Sequence, residues 1–353
     1  MIRTDLNAAP MYVAPSKQGI DLKLDANEWP VEDEFNRYPE PQPRALIEEL
    51  SQVYEVDTKQ LLLSRGSDEA IDLIIRSVLQ PGNGALVQCS PAFEMYRHYA
   101  TLHGAKTINC PLKRSDDFAI DIPAIVMATR QNDASIVFLC SPNNPSGTTI
   151  SEDQIGRLLD ALAPEVLVVL DEAYVEFSVL PSLAKQATQT PNLIVLRTLS
   201  KAYGLAGLRL GVAIGAETTI NTIAAALPPY PIPSPVVDAA MQALSTPNLI
   251  ELRVQQVRRA REQLKRALPQ LSYVLKVWPS DANFLLLEVS DADRLVKQAR
   301  ASGVSLRRVT EYANLNNAVR ISVGTQQQND RLLKLLIDLQ STLPGQRAMA
   351  GNH

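Results

Sequence analysis

Six short apolar runs, each set off from the next by helix-patterned sequence, limit the folds open to this chain. They are LLLS (61–64), ALVQC (85–89), SIVFLC (135–140), EVLVVL (165–170), LIVLR (193–197) and LGVAIG (210–215). Runs this short and continuous, rich in Val, Ile and Leu, suit strands buried on both faces of a mainly parallel sheet. Between them lie amphipathic stretches such as DEAIDLIIRSVL (68–79), stopped by Pro81-Gly82. Alternation of this kind predicts an α/β fold, a mainly parallel sheet flanked by helices.

The segment LPPYPIPSP (227–235) has five prolines in nine residues and reads as a rigid, non-helical connector. Beyond it, DAAMQALS and NLIELRVQQVRRAREQLKRAL (248–268) pattern as helices, followed by strands NFLLLEV (283–289) and AVRISVG (318–324). Helical patterns cover DADRLVKQARASG (291–303) and QQNDRLLKLLIDLQSTL (327–343), giving a smaller α+β domain. The expected division is a large domain over 30–245, with 1–29 an N-terminal arm and 246–353 the small C-terminal domain.

Charge narrows the functions. With 34 Lys+Arg against 38 Asp+Glu, the net is −4, which offers neither a basic nucleic-acid footprint nor a polybasic membrane patch. Cys89, Cys110 and Cys140 form no C-x-x-C pair, and an odd count argues against a disulfide framework. His98 and His103 have no partner at zinc spacing, so no metal site is expected. The N-terminal MIRTDLNAAPMYVAPS has no apolar signal core, and no apolar run approaches the roughly 18 residues that span a bilayer. A soluble, cytoplasmic protein is expected.

Ligands of open α/β sheets bind beyond the carboxyl ends of the strands. Four polar groups follow the apolar runs directly: Arg65-Gly66-Ser67-Asp68-Glu69, Ser141-Pro142-Asn143-Asn144-Pro145, Asp171-Glu172-Ala173-Tyr174 and Thr198-Leu199-Ser200-Lys201. All four should open onto one rim. Lys201, near Thr198, Ser200 and Arg209, is either a surface lysine or a desolvated amine able to attack carbonyls. Asp171 is a helix N-cap or the partner of a buried cation, such as a protonated pyridine nitrogen. Tyr174 and Asn144 read as a core tyrosine and a turn residue, or as donors to a phenolic oxygen of such a ring. Gly66-Ser67-Asp68 offers free N–H groups to a phosphate, although Ser67 could equally be an N-cap. Phe93 could stack on a flat ring or simply fill the core. Gly204, Gly207 and Gly211 do not make G-x-G-x-x-G, so a dinucleotide site has little support.

SPNNPSG, DEAYVEF and TLSKAYGLAGLRLG, in this order, resemble fold-type I pyridoxal-phosphate aminotransferases. LDANEWP (24–30), RYPEPQP (37–43), SRGSDEAI (64–71), PPYPIPSPVVDAA (228–240) and VRISVGT (319–325) are similar, more narrowly, to the histidinol-phosphate aminotransferases. The resemblance runs from about Tyr12 to Thr325. It implies pyridoxal 5'-phosphate as cofactor, with Lys201 as Schiff-base lysine and Asp171 as partner of the pyridine nitrogen. Tyr174 and Asn144 would contact the phenolic oxygen. Ser67, Asp68, Thr198, Ser200 and Arg209 would hold the phosphate, and Phe93 would take the ring-stacking place. Tyr38 matches a tyrosine that reaches the phosphate in the neighbouring subunit, which implies a homodimer. Arg320 matches the carboxylate-binding arginine. Arg307, with Tyr12, matches the groups that bind the substrate phosphate or the distal carboxylate of glutamate, with Arg308 as the one-residue alternative. The implied substrates are L-histidinol phosphate and 2-oxoglutarate. The neighbouring activities on this scaffold are decarboxylation of O-phosphothreonine and broad aromatic transamination. Departures from the pattern are Phe93 where tyrosine is common, Ser146 for threonine, and Trp29, which interrupts the usual NENP.

Overall fold

The computed structural model describes residues 22–31, 33–309 and 315–343. Each of the six runs is a strand core. They form β1 (Leu61–Ser64), β2 (Ala85–Ser90), β4 (Ile136–Cys140), β5 (Leu167–Asp171), β6 (Leu193–Thr198) and β7 (Gly211–Gly215). They join β3 (Lys106–Pro111) in one seven-stranded sheet of order β1-β7-β6-β5-β4-β2-β3. All neighbours pair in parallel except β7, which runs antiparallel to both β1 and β6. Strand β3 escaped the sequence reading because it is the sheet edge. Its KTINCP has one well-buried residue, Cys110, and so lacks a continuous apolar run.

Side chains of successive strand residues point to opposite faces, and both faces are buried. Val137, Leu139, Val168, Leu170 and Val195 fall on one side, with Leu46 and Leu50 from α1 (Arg44–Tyr54). Ile136, Phe138, Leu167, Val169, Ile194 and Leu196 fall on the other, covered by Ile71, Ile74 and Ile75 of α2 (Gly66–Val78). Tyr96 and Ala100 of α3 (Met95–His103) pack on that second face too. Helices α4 (Ile122–Gln131), α5 (Glu152–Ala161) and α6 (Ala184–Gln189) cover the first face, and α7 (Glu217–Ala224) joins the second.

The proline-rich connector ends earlier than its composition suggests. Ser234 and Pro235 already open α8 (Ser234–Leu244), because the fixed φ of proline suits a first helical turn. Helix α9 (Pro247–Ala267) then leads to a separate four-stranded antiparallel sheet. Its strands are β8 (Val274–Val277), β9 (Phe284–Val289), β10 (Arg307–Val309) and β11 (Ala318–Ser322), in the order β10-β11-β9-β8. Two further helices, α10 (Ala292–Ala301) and α11 (Gln326–Asp338), share a core with it. Strands β8 and β10 are only four and three residues long, too short to show a period. Among the described residues, no helix is long and apolar enough to cross a membrane.

Candidate active site

Because β1, β2, β4, β5 and β6 run in parallel, their carboxyl ends reach the same edge of the sheet. There they surround a cleft of about 470 Å³, open mouth included, lined by Ser67, Asp68, Phe93, Asn144, Asp171, Tyr174, Thr198, Ser200, Lys201 and Arg209. The expected single rim is present, and all four polar groups reach it. Cys140 and Ala173 complete the wall, and neither stood out in the sequence.

Asp171 is the last residue of β5 and is buried. Its Oδ1 accepts the Ala173 N–H at 3.0 Å and its Oδ2 accepts the Tyr96 hydroxyl at 2.7 Å. Burial pushes its pKa above the ordinary carboxylate value, while these two donors and Lys201 pull it back. Among the described residues Asp171 makes no ion pair. A desolvated carboxylate on a cleft wall is built to receive a cation from a ligand.

Lys201 is accessible from the cleft mouth, with Nζ 5.5 Å from the Tyr174 ring centroid. Desolvation on its inner side is the main cause lowering its pKa. Arg320 and Arg209 lower it further, while Asp171 and Asp68 oppose them. The amine is therefore neutral at lower pH than an ordinary lysine, as a nucleophile and base requires. Tyr174 is buried edge-on against Phe284 of β9, 5.1 Å between centroids, and burial pushes its phenol far above the ordinary value. It stays a hydrogen-bond donor. Asn144 accepts from Arg320 Nη1 through Oδ1, which leaves the amide nitrogen as the donor end.

The anion cradle lies at the start of α2. Arg65, not Ser67, is the N-cap residue, so Ser67 and Asp68 sit in the first turn, where N–H groups lack intrahelical partners. Glu69 folds back to accept the Arg65 N–H at 2.7 Å. Gly66 has φ +78°, and any Cβ there would come within 2.5 Å of Arg209 Nη2. Below it, a Cβ on Gly211 would lie 2.3 Å from the Gly66 carbonyl carbon and from the Ser67 nitrogen. Gly211→Ala should therefore displace the cradle. We expect a loss of about 1–3 kcal/mol in stability and weaker anion binding, measured by thermal denaturation and phosphate titration. Arg209, itself at φ +53°, donates to Asp68 Oδ2 at 2.9 Å, so the Asp68 carboxylate is offset where an anion would sit. Thr198 Oγ1 lies 2.9 Å from Ser200 Oγ and accepts the Ser200 N–H at 3.1 Å.

Arg307 and Arg320 lie at the edge of a second cavity that also includes Arg331 and Gln328. They are direct cross-strand partners on β10 and β11. Arg308 faces the other side, with its guanidinium on Asp293 and on the carbonyls of Val309 and Ala318. Phe93, half-buried, meets Tyr96 edge-on at 5.8 Å. Tyr38 does not line the cleft; it is 54% exposed and stacks on Tyr230 at 4.7 Å. Tyr12 lies outside the described residues.

The chain is a class I and II aminotransferase: that family matches residues 21–336, the span that carries the seven-stranded sheet with Lys201 and buried Asp171 at adjacent strand ends. Histidinol-phosphate aminotransferase of Xanthomonas euvesicatoria pv. vesicatoria is 42% identical over 347 residues, 95% of this chain and 96% of that one. The enzyme of the same name from Xylella fastidiosa is 43% identical over 332 residues, covering 91% and 90%. The chain belongs to the histidinol-phosphate aminotransferase family. In fold it is similar to the crystal structure of histidinol-phosphate aminotransferase from Sinorhizobium meliloti in complex with pyridoxal-5'-phosphate. The TM-score is 0.80 at 24% identity, with 87% of this chain and 83% of that one covered.

Proposed function

We propose that this chain exchanges an amino group between L-histidinol phosphate and 2-oxoglutarate, using pyridoxal 5'-phosphate. In the histidine-biosynthetic direction glutamate donates and imidazole acetol phosphate accepts. The observation that carries this reading is the convergence of Lys201, Asp171, Tyr174 and Asn144 on one cleft beside a helix N-terminus, in a chain of this family.

The side chains present fit the cofactor. A buried carboxylate without an ion-pair partner suits its pyridinium, and the first turn of α2 with Ser200, Thr198 and Arg209 suits its phosphate. Phe93 offers an aromatic face for the ring. When bound, the cofactor supplies an electron sink for the charge left at substrate Cα. Asp171 holds the proton on the ring nitrogen. Tyr174 and Asn144 donate to the phenolic oxygen. Lys201 would hold the cofactor, and its Nζ would serve as the base and acid that moves the proton at substrate Cα. Arg320 takes the carboxylate of glutamate.

Arg307, with Tyr12, takes the substrate phosphate or the distal carboxylate of glutamate. Guanidinium forks bind both anions, so one site serves two successive substrates. The placement of Arg307 opposite Arg320, with Arg308 turned toward Asp293, supports Arg307 as the ligand. Arg307→Ala should raise KM for L-histidinol phosphate about 10- to 100-fold while KM for unphosphorylated histidinol hardly changes. Arg308→Ala should leave both alone. Steady-state kinetics on the two substrates test this, and equal losses for both would count against the assignment.

We also propose the division into a 30–245 domain and a second unit of 1–29 with 246–353, a reading that the two separate sheets support. We further propose a homodimer in which Tyr38 enters the partner's site. Its exposure, and that of Leu22, Leu24, Trp29, Val31 and Phe35 nearby, supports this. The cytoplasm is the proposed location, and three free thiols suit that reducing compartment. The test of the reaction is amino transfer to 2-oxoglutarate with L-histidinol phosphate as donor. Release of carbon dioxide from O-phosphothreonine, or faster turnover of phenylalanine, would replace it.

A further inference from the structure

Tyr96 lies on α3 with none of its surface exposed, and it is one of the largest buried side chains. Its ring stacks on Phe138 of β4, with centroids 4.7 Å apart and planes 11° from parallel. Its edge meets Phe93 at 5.8 Å and 83°. These two rings fix where the hydroxyl can point, and it points at Asp171 Oδ2, 2.7 Å away. The other carboxylate oxygen is held by the Ala173 N–H. With one donor on each oxygen, the carboxylate cannot rotate without breaking a charge-assisted hydrogen bond in a dry environment.

Resting on the reading of Asp171 as the pyridinium partner, we infer that Tyr96 is the positioning residue that keeps this carboxylate charged and aimed, while its ring supports Phe93 against the cofactor's face. Other groups act on Asp171 as well. Asp68 on α2 opposes its charge and Lys201 favours it, while the carboxylate in turn disfavours ionisation of the Cys140 thiol and the Tyr174 phenol. Tyr96 is the only side chain among the described residues that donates a hydrogen bond to it. The phenol itself remains protonated because burial and the adjacent carboxylate both disfavour its anion.

Tyr96→Phe keeps both ring contacts and removes the hydroxyl. In the full chain freed of cofactor, the ¹³C carboxyl signal of Asp171 should titrate about one pH unit higher in the variant, a tenfold change in proton affinity. The Kd for pyridoxal phosphate should rise about tenfold, and the acid limb of the kcat profile should move up in pH with it. In the unmodified protein, the ¹³Cζ signal of Tyr96 should move with the Asp171 midpoint, a measurement that stands even if the variant does not fold. A variant that only melts earlier, with midpoint and Kd unchanged, or a Tyr96 signal blind to Asp171, would overturn the assignment. Neither the two carbon-13 titrations nor the Kd uses an amino donor. Their failure would remove Tyr96 and leave transamination standing, whereas failure of amino transfer would leave the titrations readable.

Discussion

Lys201→Ala abolishes turnover: we expect kcat to fall about 10⁴-fold or more, with cofactor still bound through its phosphate and ring contacts. General acid–base groups typically contribute about 10²- to 10⁴-fold, and this amine also positions the reacting carbon. The size of the effect follows from where Lys201 sits. Strand β6 ends at Thr198, and the turn Leu199-Ser200 carries Lys201 over the Tyr174 ring at the cleft wall. Desolvation there, reinforced by Arg320 and Arg209, keeps the amine's pKa below the ordinary lysine value. Its neutral fraction at a given pH is thus larger, and the acid limb of amine reactivity lies below that of surface lysines. No other described lysine lines the cleft to take over. A coupled assay of glutamate formation checks the loss, and small added amines should restore part of it. Activity within tenfold of the parent enzyme would remove Lys201 from the mechanism.

Asp171→Asn is the second large effect, and it separates charge from shape. Asparagine can still accept the Ala173 N–H at Oδ1 and donate from Nδ2 to the Tyr96 hydroxyl oxygen, so the cleft keeps its form. What is lost is the negative charge that would face the pyridine nitrogen, and removal of a preorganised electrostatic partner costs about 10²- to 10³-fold in kcat. Stability should move the other way. Burial raises the folded pKa of Asp171 above its unfolded value, so the folded state binds more protons, and this group's contribution falls as pH rises through that window. At neutral pH the ionised carboxylate is therefore a burden on the cofactor-free protein. The asparagine variant should melt at the same or a higher temperature, by calorimetry at pH 7, while kcat collapses. Loss of stability together with full activity would show that Asp171 serves the fold rather than the reaction.

Much of this organisation was legible because parallel strands buried on both faces write themselves as continuous apolar runs. The ends of those runs mark the site, and Ser67, Asn144, Asp171 and Lys201 were found simply as the polar residues that follow. What escaped lacked a local signature. Edge strand β3 has a mostly exposed face, and β8 and β10 are too short for a period. Ser67 looked like an N-cap, but the left-handed Gly66 starts the helix two residues sooner. Tyr96 sits in PAFEMYRHYA with the spacing of an ordinary core residue. Only the packing of α3 against β4 and β5 turns its hydroxyl toward Asp171. The facing of Arg307 rather than Arg308 toward Arg320 is likewise a matter of register between two strands.

The most direct measurement is the absorption spectrum of the cofactor-loaded protein as L-histidinol phosphate is added without any keto acid. The long-wavelength band of the bound cofactor should give way to that of pyridoxamine phosphate, and 2-oxoglutarate should bring it back. One cuvette then reports both half-reactions and the substrate. A band unmoved by L-histidinol phosphate but shifted by O-phosphothreonine or phenylalanine would contradict the proposed reaction while leaving the cofactor and Lys201 in place.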